Sequence, residues 1–98
     1  MDNIKWLSDW YKSNCDGDWE HTYGVLIETL DNPGWKIKIE LTDSRYEGIE
    51  FSTELNNGED DWYQVKCDGL SYEGYGDPDK LDVLINLFRQ QINNYKID

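Results

Sequence analysis

Residues 35–41, Trp-Lys-Ile-Lys-Ile-Glu-Leu, alternate without a slip: Trp35, Ile37, Ile39 and Leu41 on one side, Lys36, Lys38 and Glu40 on the other. A period of two sends successive side chains to opposite faces, so this stretch is a strand with one buried and one solvated face. Just before it, Asn32-Pro33-Gly34-Trp35 suits a type II turn, with Pro at the second position and Gly where φ must be positive. Residues 22–30, Thr-Tyr-Gly-Val-Leu-Ile-Glu-Thr-Leu, read as the strand that enters this turn. An antiparallel hairpin is therefore the seed of the fold.

The alternation recurs further on. Within 47–55, Ile49, Phe51, Thr53 and Leu55 oppose Glu50, Ser52 and Glu54. Asn56-Asn57-Gly58 breaks the run, Glu59-Asp60-Asp61 makes an acidic connector, and 62–67 reads as the next strand. Asp68-Gly69 is a strong two-residue hairpin signal, so 70–75 returns beside it. Helical spacing is confined to the two ends. Ile4, Trp6, Leu7, Trp10 and Tyr11 form one broad apolar stripe, with Asp2 or Asn3 to cap it and Gly17 to stop it. Asp77-Pro78 opens a last helix, with Asp77 as cap and Pro78 in its first turn. Leu81, Leu84, Ile85, Phe88 and Ile92 form its buried face. Tight turns imply antiparallel neighbours. The order predicts an α+β domain: a meander sheet of about five strands, with both helices on one face. At 98 residues it is a single domain, 1–98.

A core is not guaranteed by the aliphatic residues. Leu, Ile, Val and Phe together make 22 of the 98 residues, close to the ~20% at which chains tend to disorder. The aromatics decide for folding. Five Trp and seven Tyr accompany the two Phe, and each large ring can bury roughly 150–250 Å². An aromatic core replaces the missing aliphatics.

The charge is lopsided: 21 acids against 9 Lys and Arg, a formal net charge of −12. A domain that acidic does not take nucleic acid or an anionic membrane through a basic patch. No apolar run approaches the ~20 residues of a membrane span, and the chain opens without an apolar leader. Two cysteines, Cys15 and Cys67, allow one disulfide at most, so a reduced, cytoplasmic protein is expected. The triplet Cys-Asp-Gly occurs at 15–17 and again at 67–69, each time at the end of a predicted element, and turn chemistry explains both copies.

No catalytic pattern stands out. His21 is the one histidine, and a Cys–His dyad needs a thiolate lowered by a cationic neighbour. Cys15 instead sits among Asp16, Asp18 and Glu20, which raise a thiol. Nucleophile elbow, phosphate loop, dinucleotide glycines and the metalloprotease helix are all missing. Neither cysteine has zinc spacing, and Asp16-Gly17-Asp18-Trp19-Glu20 falls short of a calcium loop. Solvated turn acids explain that stretch. A protein with no catalytic residues, no metal and no cofactor is expected.

The acidic surface is the informative feature. From Asp43 to Asp61 there are seven acids and one Arg. Glu50 and Glu54 share the polar face of one predicted strand, and Glu47 stands just before it. The bland reading is a solvated strand face. The functional reading is a docking surface for a basic partner, since clustered negative charge steers association. Tyr46, Trp62, Tyr63, Tyr72 and Tyr75 are interleaved with the acids, and Trp and Tyr are enriched at binding hot spots.

At Trp6-Leu7-x-x-Trp10-Tyr11, then Cys15-Asp16-Gly17-Asp18-Trp19-Glu20-His21-x-Tyr23-Gly24, then Thr29-Leu30-Asp31-Asn32-Pro33-Gly34-Trp35, the chain resembles the immunity protein 53 family of bacterial polymorphic toxin systems. The likeness is tight over residues 4–41 and looser after Leu41. It implies a small cytoplasmic protein, encoded beside a toxin, that binds and silences that toxin, and it brings no catalytic residues. Charge adds that the partner is a basic protein, such as a nuclease; the free inhibitor is expected to be a monomer. The expected contacts are Glu47, Glu50, Glu54, Glu59, Asp60, Asp61 and Trp62, with Trp19, Glu20 and His21 as a second patch. Two other classes stay open. One is a small thiol-dependent enzyme of sulfurtransferase type using Cys15 or Cys67; the other is a generic acidic interaction module.

Overall fold

A computed structural model describes residues 2–95. The chain runs α1 (Asn3–Asn14), α2 (Trp19–Thr22), β1 (Val25–Leu30), β2 (Gly34–Glu40), β3 (Glu50–Asn56), β4 (Trp62–Asp68), β5 (Ser71–Gly76) and α3 (Leu81–Asn94). The strands form one antiparallel sheet in the order β1-β2-β5-β4-β3. The expected α+β architecture of five antiparallel strands between two helices is present. Its meander has two parts. β1–β2 is one hairpin, β3-β4-β5 folds back as a second run, and pairing of β2 with β5 joins them at the centre. β1 and β3 are the two edges.

Alternation gives the sheet two unlike faces. Ile37 lies opposite Gly74 and Ile39 opposite Tyr72, which are themselves opposite Val65 and Cys67. All of these are buried, and α3 lies over them. Gly74 has a reason to lack a side chain: a Cβ there would stand 3.0 Å from Ile37 Cγ2 and 3.1 Å from Leu84 Cδ2. The Tyr72 hydroxyl, fully buried, donates to the Leu84 carbonyl at 2.6 Å and fastens β5 to α3. α1 packs against α3 rather than directly on the strands. Rings fill the layer, with Phe88 5.0 Å from Trp10 in an edge-to-face pair and 4.9 Å from Tyr72. Such pairs add roughly 0.5–1.5 kcal/mol beyond their buried area.

Several local expectations shift. Asp2 is the cap of α1, accepting from the Ile4 and Lys5 amides at 3.0 and 3.2 Å. Of its apolar stripe, Leu7 and Trp10 are buried, while Ile4 and Tyr11 lie 54% and 38% exposed at the margin. Asn3 is buried in their place and ties the helices together: it donates to Asp82 and accepts from Arg89, both on α3. The first strand starts at Val25, later than 22, because residues 19–22 close into a helical turn. The hairpin turn spans residues 31–33, and Gly34 is not at positive φ. It is already in β2 opposite Leu30, and a Cβ there would overlap the Gly76 carbonyl oxygen. Glycine is needed there for close strand approach, not for the turn. The last helix likewise starts at Leu81, because Asp77 is occupied elsewhere.

Candidate partner-docking surface

The acids between 43 and 61 do not form one patch. β3 separates them, and its seven residues at roughly 3.3 Å each span about 20 Å. Glu47 lies at one end with the helical turn of Trp19–Thr22. Glu59, Asp60 and Asp61 lie at the other, beside the β1–β2 turn and the segment entering α3. Glu50 and Glu54 run between them on the open face.

At the first end the turn is built from backbone. Asp16 Oδ1 accepts from the Trp19 amide at 3.0 Å and the Asp18 amide at 2.9 Å. These bonds hold the Asp16 carboxyl below its usual range, Trp19 contributing most. Glu20 reaches back to the Asp16 and Gly17 amides, and bonds to its own and these two amides lower it in turn. Glu20 therefore braces the turn, and His21 is exposed beside it. Trp19 leaves the candidate surface. It is buried, packs edge-on against Trp10, and donates its indole N–H to the Thr42 carbonyl at 3.1 Å. That bond anchors the turn to the corner carrying Asp43 and Glu47, where the Glu47 carboxylate accepts from the Asp43 amide at 3.2 Å.

Along β3, Glu50 lies directly opposite Asp68 and Glu54 opposite Gln64. Like charges facing each other across a ladder destabilise it. Two lysines of the open face lean towards the other edge, Lys36 to Glu28 at 3.9 Å and Lys38 to Glu40 at 3.6 Å and to Glu73 at 3.8 Å, while Lys66 stands opposite Ser52 on β3 and makes no ion pair among the described residues. Among the described residues Glu47, Glu50, Glu54, Glu59 and Asp60 make no ion pair.

At the second end Asp61 is committed inward. Lys80 Nζ stands 2.8 Å from Asp61 and 2.7 Å from the buried Asp77. Asp77 also accepts from the Trp62 amide at 2.9 Å and from the Asp79 amide at 2.8 Å. The lysine is the main cause that holds both carboxyls below their usual range, and they push its own pKa up. This clasp is why Asp77 is no helix cap. Glu59 and Asp60 remain outward, and with Trp62, Asn32, Pro33 and Pro78 they line a concavity of about 530 Å³. Nothing in the sequence joins 32–33, 59–62 and 78: the β2–β5–β4 pairing does, by placing Trp35 and Tyr63 both opposite Gly76.

The thiols are turned to structure. Cys67 is buried, donates to the Ile49 carbonyl at 3.0 Å, and is pushed up by burial. Cys15, the residue that caps the end of α1, donates to the Tyr11 carbonyl at 3.3 Å. The two Cys-Asp-Gly triplets do the same turn work. Asp68, like Asp16, accepts from the amides two and three residues on, and Gly17 and Gly69 have φ of 95° and 92°. Among the described residues, no helix is long and apolar enough to cross a membrane.

A family model described as Immunity protein 53 matches residues 4–93. Neither the curated proteins nor the solved structures give a match.

Proposed function

This chain belongs to the immunity protein 53 family, and from that premise we propose that it binds and neutralises a cognate bacterial toxin through the acidic β3 side of its sheet. Inhibition here is occupation of the toxin's surface, without catalysis by the inhibitor. The observation that carries the choice of surface is the arrangement of Glu50 and Glu54. They are exposed, without an ion pair among the described residues, and Glu50 faces Asp68 across the strand pair. A ladder that keeps like charges opposed gives up stability at that spot, and a basic partner recovers it on docking. Clustered carboxylates also raise association rates, up to ~10⁸–10⁹ M⁻¹s⁻¹ at low salt, which suits an inhibitor that must outrun a toxin in the same cell.

A toxin attracted by such a surface is basic. A nuclease, whose own site is built for phosphate, is the partner class this charge imitates. Glu59, Asp60 and Trp62 extend the surface at one end, Glu47 at the other, and Glu20 and His21 form a secondary rim. The free inhibitor acts as a monomer in the cytoplasm.

Titrating the C-terminal domain encoded by the adjacent gene into this protein, at low and high salt, tests the surface. Nanomolar-scale binding is expected for the unaltered chain. Glu50→Lys with Glu54→Lys is expected to weaken it and to flatten its salt dependence. Unchanged affinity and salt dependence in that variant would remove β3 from the interface.

A further inference from the structure

The concavity at Trp62 opens on the outward surface, and its walls come from three separate segments. Pro33 and Asn32 come from the β1–β2 turn, Glu59 and Asp60 from the β3–β4 loop, and Pro78 from the link into α3. Its volume, about 530 Å³, lies within the roughly 300–1,000 Å³ typical of ligand sites. The walls are pinned. Trp35 donates its indole N–H to the Pro78 carbonyl at 2.9 Å, and Trp62 exchanges backbone bonds with Asp77, whose carboxylate accepts at 2.9 Å and whose amide donates at 3.2 Å. Little ordering of Trp62 and Pro78 is left for a ligand to impose.

We propose that this concavity is a socket for an arginine side chain presented by the toxin, a step that rests on the toxin-binding reading above. Trp62 supplies a half-buried indole, and Glu59 and Asp60, which line the same hollow, have no ion pair among the described residues. Lys80, paired to the neighbouring Asp61, is already held between Asp61 and Asp77. Trp62 also borders a second hollow of about 200 Å³, which Glu54 lines too. Acids thus line both hollows that Trp62 borders. A guanidinium fits this chemistry better than an ammonium: it stacks flat on an indole and forks to a carboxylate at the same time. An anionic ligand, a phosphate or a nucleic acid, meets repulsion from Glu54, Glu59 and Asp60.

The test compares three variants with the unaltered chain, using the adjacent gene's C-terminal domain as probe and calorimetry as readout. Trp62→Leu keeps apolar bulk and removes the π face; it should weaken binding roughly tenfold or more, the scale of a hot-spot contact. Trp62→Phe, which restores a ring, should recover part of that loss. Glu59→Gln with Asp60→Asn should weaken binding at low salt and much less at high salt. That pair lies in an exposed loop, so it decides the matter alone if Trp62→Leu does not fold. Tight binding by the unaltered chain with no change in any variant overturns the socket and leaves the toxin reading standing. No binding by the unaltered chain overturns the toxin reading itself.

Discussion

The two faces of the sheet are made from the same strands by opposite rules. On the covered face Ile37, Ile39, Tyr72 and Val65 are at most 1% exposed, and Tyr72, Phe88 and Trp10 form a continuous ring stack under the helices. On the open face, charges stand in rows, paired near β1 and, among the described residues, unpaired near β3. The difference teaches where each kind of energy resides. Apolar burial, at roughly 25 cal/mol per Å², holds the fold; the acids at the β3 edge add little to it and are available for recognition. A chain with 21 acids and few aliphatics can fold because the covered face is aromatic.

That division can be broken from either side. Phe88→Ala, deep in the ring stack, should cost about 3–5 kcal/mol. For a domain of this size each kcal/mol lowers the midpoint by roughly 4–8 °C, and thermal melts will read it. Whatever fraction stays folded should bind the partner with unchanged affinity, since no atom of the open face is touched.

Acid sharpens the comparison next. Asp16, Asp61, Asp68 and Asp77 are all held below the ordinary value of 3.8, by backbone amides at Asp16 and Asp68 and chiefly by Lys80 at the other two. A depressed carboxyl contributes stability that is complete above its unfolded value and lost as pH falls through the folded one. Melting temperatures should therefore hold between about pH 7 and pH 5 and drop below about pH 4. A steady fall beginning near neutrality would mean that other groups govern stability.

The smallest effect belongs to the edge. Glu50→Lys with Glu54→Lys should move stability by no more than about 0.5 kcal/mol, and upward if anything, because Glu50 no longer faces Asp68 with like charge. A large loss in melting temperature would show that these acids serve the fold and would blur the two faces into one.

Much of this was legible in the sequence. Strict alternation at 35–41 and 49–55 gave the faces, and the helix-spaced residues from Leu81 to Ile92 gave the layer that covers one of them. Local periodicity could not show long-range partnership. Asp77-Pro78 has the grammar of a helix start, yet Asp77 is drawn to the Trp62 amide on the neighbouring strand and to Lys80 three residues on. Gly34 follows a proline as turn glycines do, yet it is there for the Gly76 carbonyl. Trp19, set among exposed acids, turns inward because its N–H finds the Thr42 carbonyl. The Trp62 hollow was half visible: the sequence marked its acids and ring, and only strand pairing could add Pro33 and Pro78.

One experiment bears on the central claim most directly. The C-terminal domain of the adjacent gene product is expressed in a test bacterium, alone and together with this chain, and survivors are counted. Membership of an immunity family predicts killing by the domain alone and rescue on co-expression, with a 1:1 complex recoverable from the rescued cells. A toxic domain that this chain neither binds nor neutralises would contradict it.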